Sequence, residues 1–221
     1  FPAHAAGRIL SNMIPWADSL VSWLSLDPES GTVPAGGSAA VAVTFDATGA
    51  AQPNVSLALT RPLEAGTLTF DTAGYNLGGS TTLGNSPNLV ANADATISAT
   101  LAGTSGITKS GASTLSLTGT SSYSGVTILQ DGVLNAASFA DNGTNSSLGA
   151  GTGDTNPEAI GLLFRGGTLQ YTGSTPQSTN RAVRLSTIGG GGTIDASGSV
   201  PSATLSFTST ASPNFFEHPG S

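Results

Sequence analysis

The sequence predicts an all-β chain whose main part is a parallel β-helix, a solenoid of short stacked strands, behind a short mixed N-terminal segment. Three observations predict it. Serine (30) and threonine (29) with 30 glycines dominate the 221 residues, and charged residues make up only 9%, against roughly 25% in an ordinary globular chain. Threonine and the branched aliphatics suit a pleated surface. Glycine, asparagine, aspartate and serine suit the bends between strands. Second, a short unit recurs from about residue 57 to residue 210: a small or turn residue, then Thr, Ser or Val, then Leu or Ile, then another polar–apolar step. Third, copies starting at 113 and 132 are 19 residues apart and those at 167 and 192 are 25 apart, which is the period of a solenoid.

Residues 1–26 carry the helical spacing of the chain, with Ile9, Leu10, Met13, Ile14, Leu20, Val21 and Leu24. Pro15 interrupts it, so the expectation stops at a short helix or two. At Trp23 the pattern changes. Trp23-Leu-Ser-Leu-Asp-Pro-Glu-Ser-Gly31 reads as a strand entering a turn, and Thr32 to Ser38 as a loop. Ala39 to Asp46 alternates with period two, with Val41, Val43 and Phe45 on one face. This passage resembles the first strands of bacterial immunoglobulin-like repeats, including those attached to carbohydrate-active enzymes. The later strands of such a sandwich do not follow. The expected organisation is an N-terminal segment over 1–56, short helix plus immunoglobulin-like strand pair, and a solenoid over 57–221.

Within the solenoid the unit is clearest at Gly66-Thr-Leu-Thr-Phe70, Ser113-Thr-Leu-Ser-Leu117, Gly132-Val-Leu-Asn-Ala136, Gly167-Thr-Leu-Gln-Tyr171, Gly192-Thr-Ile-Asp-Ala196 and Ala203-Thr-Leu-Ser-Phe207. Each strand presents its Leu or Ile, and the residue two later, on one side. One strand cannot bury that side alone, whereas stacked coils build a continuous interior. Glycine at the corners supplies the left-handed backbone of a tight bend.

Charge and cysteine content exclude several classes. Six basic residues against thirteen acidic ones, for a net charge of −7, leave too little to build the positive patch that nucleic acid or an anionic membrane surface requires. Zero cysteines exclude a disulfide framework, a thiol nucleophile and cysteine-ligated zinc. No apolar run reaches the roughly 18 residues of a membrane helix, so direct membrane insertion by this segment is not expected. The chain starts at Phe1 without a signal-peptide layout and reads as a piece of a longer protein.

One stretch, Ala95 to Asn135, is more specific. It contains Gly106-Ile-Thr-Lys-Ser-Gly-Ala-Ser-Thr-Leu-Ser-Leu-Thr-Gly119, then Tyr123-Ser-Gly-Val-Thr-Ile128 and Gly132-Val-Leu134. This resembles the autotransporter-associated β-strand repeat of bacterial surface proteins. The match runs through Gly106, Lys109, Gly111, Leu115, Leu117, Gly119, Tyr123, Gly125, Thr127, Ile128, Gly132 and Leu134. Ser113 stands where glycine is usual, and Val126 replaces the second glycine of the Tyr-x-Gly-Gly corner. Typical flanking sequences extend the resemblance to residues 63–207. It implies a right-handed parallel β-helix of passenger type, exported and then displayed or released. It implies no chemistry for the repeat itself.

Sites of chemistry are sparse in the sequence. His4 and His218 sit at opposite ends, and no Gly-x-Ser-x-Gly elbow is present. Glycoside cleavage needs two carboxylates within roughly 5–10 Å. The acids of the solenoid region, Asp71, Asp94, Asp131, Asp141, Asp154, Glu158 and Asp195, are spread, and of these only Asp154 and Glu158 are near neighbours. They lie with Asp141 in a long polar loop, 141–158, expected to project from the solenoid; these three are the candidate ligand-binding residues. Oxygen-rich loops suit hard cations, but the spacing of a calcium loop is missing, so neither metal nor cofactor is expected. Arg165, Arg181 and Arg184 are expected to satisfy backbone carbonyls or pair with aspartate rather than gather on an anion. Tyr75, Tyr123, Tyr171, Phe70, Phe164 and Phe207 are expected in the core rather than on a sugar-stacking platform.

The expected function is a structural passenger or stalk segment of an exported bacterial surface protein, supporting display, adhesion or secretion without enzymatic activity. The competing class is a carbohydrate-binding or polysaccharide-degrading β-helix. Expected partners are an extracellular polysaccharide or a host or neighbouring cell surface, not nucleic acid. A translocator barrel or anchor is expected elsewhere in the parent chain, and the location is secreted or cell-surface.

Overall fold

The structure, a computed structural model, describes the strand backbones at 24–27, 42–45 and 56–59 and residues 64–152, 160–186, 191–210 and 215–216. Among the described residues there is no helix, and nearly every strand pairs in parallel. The chain winds between two sheets. The first stacks Ala42–Phe45, Glu64–Phe70, the end of Tyr75–Ala91, Ile107–Ser110, Thr127–Leu129, Ile160–Phe164, Ala182–Ser186 and Phe215–Phe216. The second stacks Ser56–Leu59, the start of Tyr75–Ala91, Ala95–Ile97, Thr114–Leu117, Val133–Ala136, Thr168–Tyr171 and Thr193–Asp195. Strand Tyr75–Ala91 bends through the corner and serves both sheets. A short third ladder joins Gln177–Thr179 to Leu205–Phe207. This is the parallel β-solenoid that the repeat spacing predicts.

The register explains why these residues form these strands. Leu77, Ile97 and Leu117 are cross-strand partners, twenty residues apart by their numbers. Ala136 and Tyr171 continue the column. A second column runs Tyr75, Ala95, Leu115, Leu134 and Leu169. All ten of these side chains are buried, and the intervening residues are not. At three rings a large residue faces a small one: Tyr75 faces Ala95, Phe70 faces Ala91, and Tyr171 faces Ala136. Neighbouring rungs are only about 4.8 Å apart, so an alanine beside each of these three rings keeps the interior at native density.

Glycine is required where the corners of successive coils touch. Gly111 and Gly132 have φ of 79° and 62°. A side chain at Gly111 would run into the Ala91 carbonyl of the coil before, and one at Gly132 into the Gly111 carbonyl. The repeated glycines therefore mark close approach as well as left-handed backbone.

The strand that the sequence reading begins at Trp23 is present over Leu24–Asp27. Leu24, counted with the helical spacing, stands in strand Leu24–Asp27; the rest of the expected helical stretch up to residue 23 lies outside the described residues. Leu24–Asp27 pairs antiparallel with Ala42–Phe45, which in turn pairs in parallel with Glu64–Phe70. The strand pair thus continues into the first sheet of the solenoid.

Candidate functional site

Two places concentrate polar chemistry: the corner around Arg181, and the outer face of the second sheet. The corner arises because one coil is longer than the others. Ala136 and its partner Tyr171 are 35 residues apart, where earlier partners are 19 or 20 apart. The extra residues leave the second sheet after Ala136, and those up to Thr152 fold back on the solenoid.

Arg181 gathers that excursion. Its side chain is 1% exposed. Nε donates to the Ala140 carbonyl at 3.1 Å, Nη1 to Leu148 O at 2.6 Å, and Nη2 to Gly149 O at 2.7 Å and Thr144 O at 3.3 Å. The planar fork reaches carbonyls on both sides of the loop at once, which an ammonium cannot do. Burial pulls the Arg181 pKa below its ordinary value, opposed by Tyr123 and Asp141. Beside it the Thr179 hydroxyl donates to Ala140 O, and Asn180 and Asp141–Asn142 exchange hydrogen bonds: Asn180 N–H to Asp141 Oδ1 at 2.7 Å, Asn142 N–H to Asn180 Oδ1 at 2.8 Å. Ser146 to Gly149 are buried. The expectation of a loop that projects throughout 141–158 is therefore corrected for its first half: carbonyls drawn to one guanidinium fold it inward, and only Asp141 and Gly143 to Asn145 are exposed.

Of the three candidate residues, Asp141 lies on this corner with one carboxylate oxygen already occupied by Asn180 N–H. Asp154 and Glu158 lie outside the described residues, as do His4 and His218. Among the described residues no three His, Asp or Glu side chains stand close enough to hold a metal. Arg181 satisfies backbone carbonyls, as expected from the sequence. Tyr75, Tyr123, Tyr171, Phe70 and Phe164 are buried, and Phe207 packs against the core. The Tyr123 hydroxyl shares a hydrogen bond with Thr127 Oγ1 at 3.0 Å. Burial pushes its pKa up to about 12.

Lys109 is a polar residue that the sequence reading did not place. It occupies the inward column between Leu89 and Leu129 and is fully buried. Its ammonium donates to the carbonyls of Ser110 (2.9 Å) and Gly111 (2.7 Å) on its own coil and Asp131 (3.0 Å) on the next. Burial pushes its pKa down to about 8, with the Asp131 charge opposing. The signal was present: Ile107 and Lys109 are two apart in a strand, so they share a face.

The second polar place is a shallow groove of about 640 Å³ on the outer face of the second sheet. Asn76, Thr96, Ser116 and Asn135 form successive rungs across four coils, with Asp94 and Thr114 along one margin. Asn76 Oδ1 accepts from Ser98 Oγ at 2.9 Å, Asp94 Oδ1 from the Thr114 N–H at 2.8 Å, and Ser116 Oγ from Asn135 Nδ2 at 3.2 Å.

Stacked coils, glycine-locked corners and a buried lysine joining two coils define a repeat-built solenoid. Residues 107–136 match the passenger-associated-transport-repeat family, and that span holds Lys109, Gly111, Tyr123 and Gly132. The chain is also similar to the adhesin BmaC autotransporter of Brucella suis biovar 1 (strain 1330), with 36% identity over 148 residues. That alignment covers 64% of this chain and 4% of the adhesin. No solved structure matches. Residues 107–136 thus carry a passenger-associated transport repeat, and the chain spans only a small part of the length of the autotransporter adhesin it resembles. No helix among the described residues is long and apolar enough to cross a membrane, which says nothing of strands.

Proposed function

We propose that this chain is a stalk segment of a surface-displayed passenger, supporting display and adhesion and carrying no enzymatic activity. The carrying observation is the unbroken pair of inward columns from Tyr75 and Leu77 to Leu169 and Tyr171. Side chains continuous across every coil make a stiff element whose length grows with coil number. On this reading a translocator barrel or anchor lies elsewhere in the parent protein, and the partner is an extracellular polysaccharide or a cell surface. Residues 1–56 act as a cover for the first coil.

The test joins the chain to an outer-membrane translocator and measures surface exposure by antibody binding on intact cells. Efficient display of the parent, and reduced display of variants with a disrupted column such as Leu115→Asp, are expected. Equal display of both would reject a role for the stacked interior. Incubation with polysaccharides should release no reducing sugar; release would favour the polysaccharide-degrading alternative.

A further inference from the structure

We propose that the outer groove of the second sheet binds a neutral, extended glycan lying along the solenoid axis. The inference rests on the surface-display reading for its biological setting, though not for its test. The groove is lined by hydroxyls and amides, groups that both donate and accept, as sugar hydroxyls do. Drug-like pockets are mostly apolar; this one offers Asn76, Thr96, Thr114, Ser116 and Asn135 with a single carboxylate, Asp94. One oxygen of that carboxylate is already occupied by the Thr114 N–H.

Charge narrows the ligand. No cationic side chain lines the groove, and the chain carries −7 overall, so a polyanion is repelled. One partly occupied carboxylate is too little to hold a bare cation. A neutral polyol fits both facts.

Period narrows it further. Asn76, Thr96, Ser116 and Asn135 belong to consecutive rungs spaced by roughly 4.8 Å, about the length of one sugar in an extended chain. One sugar then lies against each rung, and the contacts repeat without a change of direction. The rungs are fixed by backbone ladders on both sides, so little ordering is needed on binding.

The experiment titrates the purified 221-residue chain with neutral β-linked gluco-oligosaccharides of increasing length, using calorimetry and amide chemical shifts. Polygalacturonate serves as the anionic comparison. Saturable binding that strengthens with length until the four rungs are covered is expected, with shifts confined to the groove. Ser116→Tyr, which fills the groove from an outward strand position, should weaken binding by at least about tenfold. Thr96→Val, which removes a hydroxyl without adding bulk, should weaken it in the same direction, so the idea remains testable if the tyrosine variant fails to fold. Thr108→Tyr, outward on the first sheet, should leave binding unchanged. No saturable binding of neutral glycan, equal or tighter binding of polygalacturonate, or unaltered affinity in both groove variants would overturn the proposal. A chain that displays normally yet binds no glycan rejects the groove alone, whereas failure of display rejects the stalk reading.

Discussion

At the scale of the residue, two buried cations fasten this solenoid. Lys109 sits in an otherwise apolar column, and its ammonium ties the Ser110 and Gly111 carbonyls of its own coil to the Asp131 carbonyl of the next. Replacing it by methionine keeps the packing and leaves those carbonyls without a donor. The expected loss is about 1–3 kcal/mol, read from denaturant midpoints. Titration gives a separate signature. The folded pKa of about 8 lies below the ordinary 10.5, so between those values the unfolded chain binds more protons and stability rises with pH. Tyr123 acts oppositely. Its folded value of about 12 lies above 10.0, so from about pH 10 upward it lowers stability. Thermal midpoints should therefore climb from pH 8 toward 10 and then level or fall, and Lys109→Met should remove the climb. A climb that persists in the variant would assign it to another group. Alternation in Ile-Thr-Lys-Ser made the inward position of Lys109 legible; its carbonyl partners come from corners that no local pattern specifies.

At the scale of the element, the long coil is the informative one. Its extra residues read as a polar projection because Asn, Gly, Ser and Thr dominate them. Arg181 reverses that outcome over 140–149 by drawing four loop carbonyls to one guanidinium. Arg181→Lys keeps the charge and loses the fork. We expect faster amide exchange at Gly143, whose N–H donates to Ala150 O across this loop, and at Ala150, whose N–H donates to Tyr123 O on the preceding coil, and earlier proteolytic nicking between 141 and 150. The cost in global stability should be about 2–4 kcal/mol, because several buried carbonyls lose donors together. Guanidinium ion added at low concentration to an Arg181→Ala variant should partly restore protection; no restoration would argue against a pre-formed carbonyl cage. Sequence reading placed Asp141 in the loop and Arg181 among carbonyl-binding residues. It had no means of joining them, since they lie 40 positions apart.

At the scale of the whole molecule, parallel stacking makes the edges the weak points. Strand Ala42–Phe45 pairs with Glu64–Phe70, and removing residues 1–56 would expose that edge to other chains. The deletion should shift gel filtration toward higher oligomers, and a monomeric profile equal to the parent would count against the covering role. At the other end Ile194 follows Leu169 in an inward column yet is 38% exposed. Ile194→Thr should therefore cost little stability, under about 1 kcal/mol, whereas Leu134→Ala, fully buried in the same column, should cost about 2–5 kcal/mol.

The sequence by itself determined the all-β class, the solenoid period, the inward identity of the Leu and Ile positions and the corner glycines. Each of these rests on local alternation or on a spacing that repeats, and both survive in a linear string. Only the tertiary structure decided which carbonyls the inward lysine meets, that the polar loop turns inward onto Arg181, and that four separate coils present one continuous polar groove. Those facts depend on which carbonyls and side chains meet across 20 to 40 residues of chain. A one-residue change in coil length would rearrange every such meeting while leaving the local pattern intact.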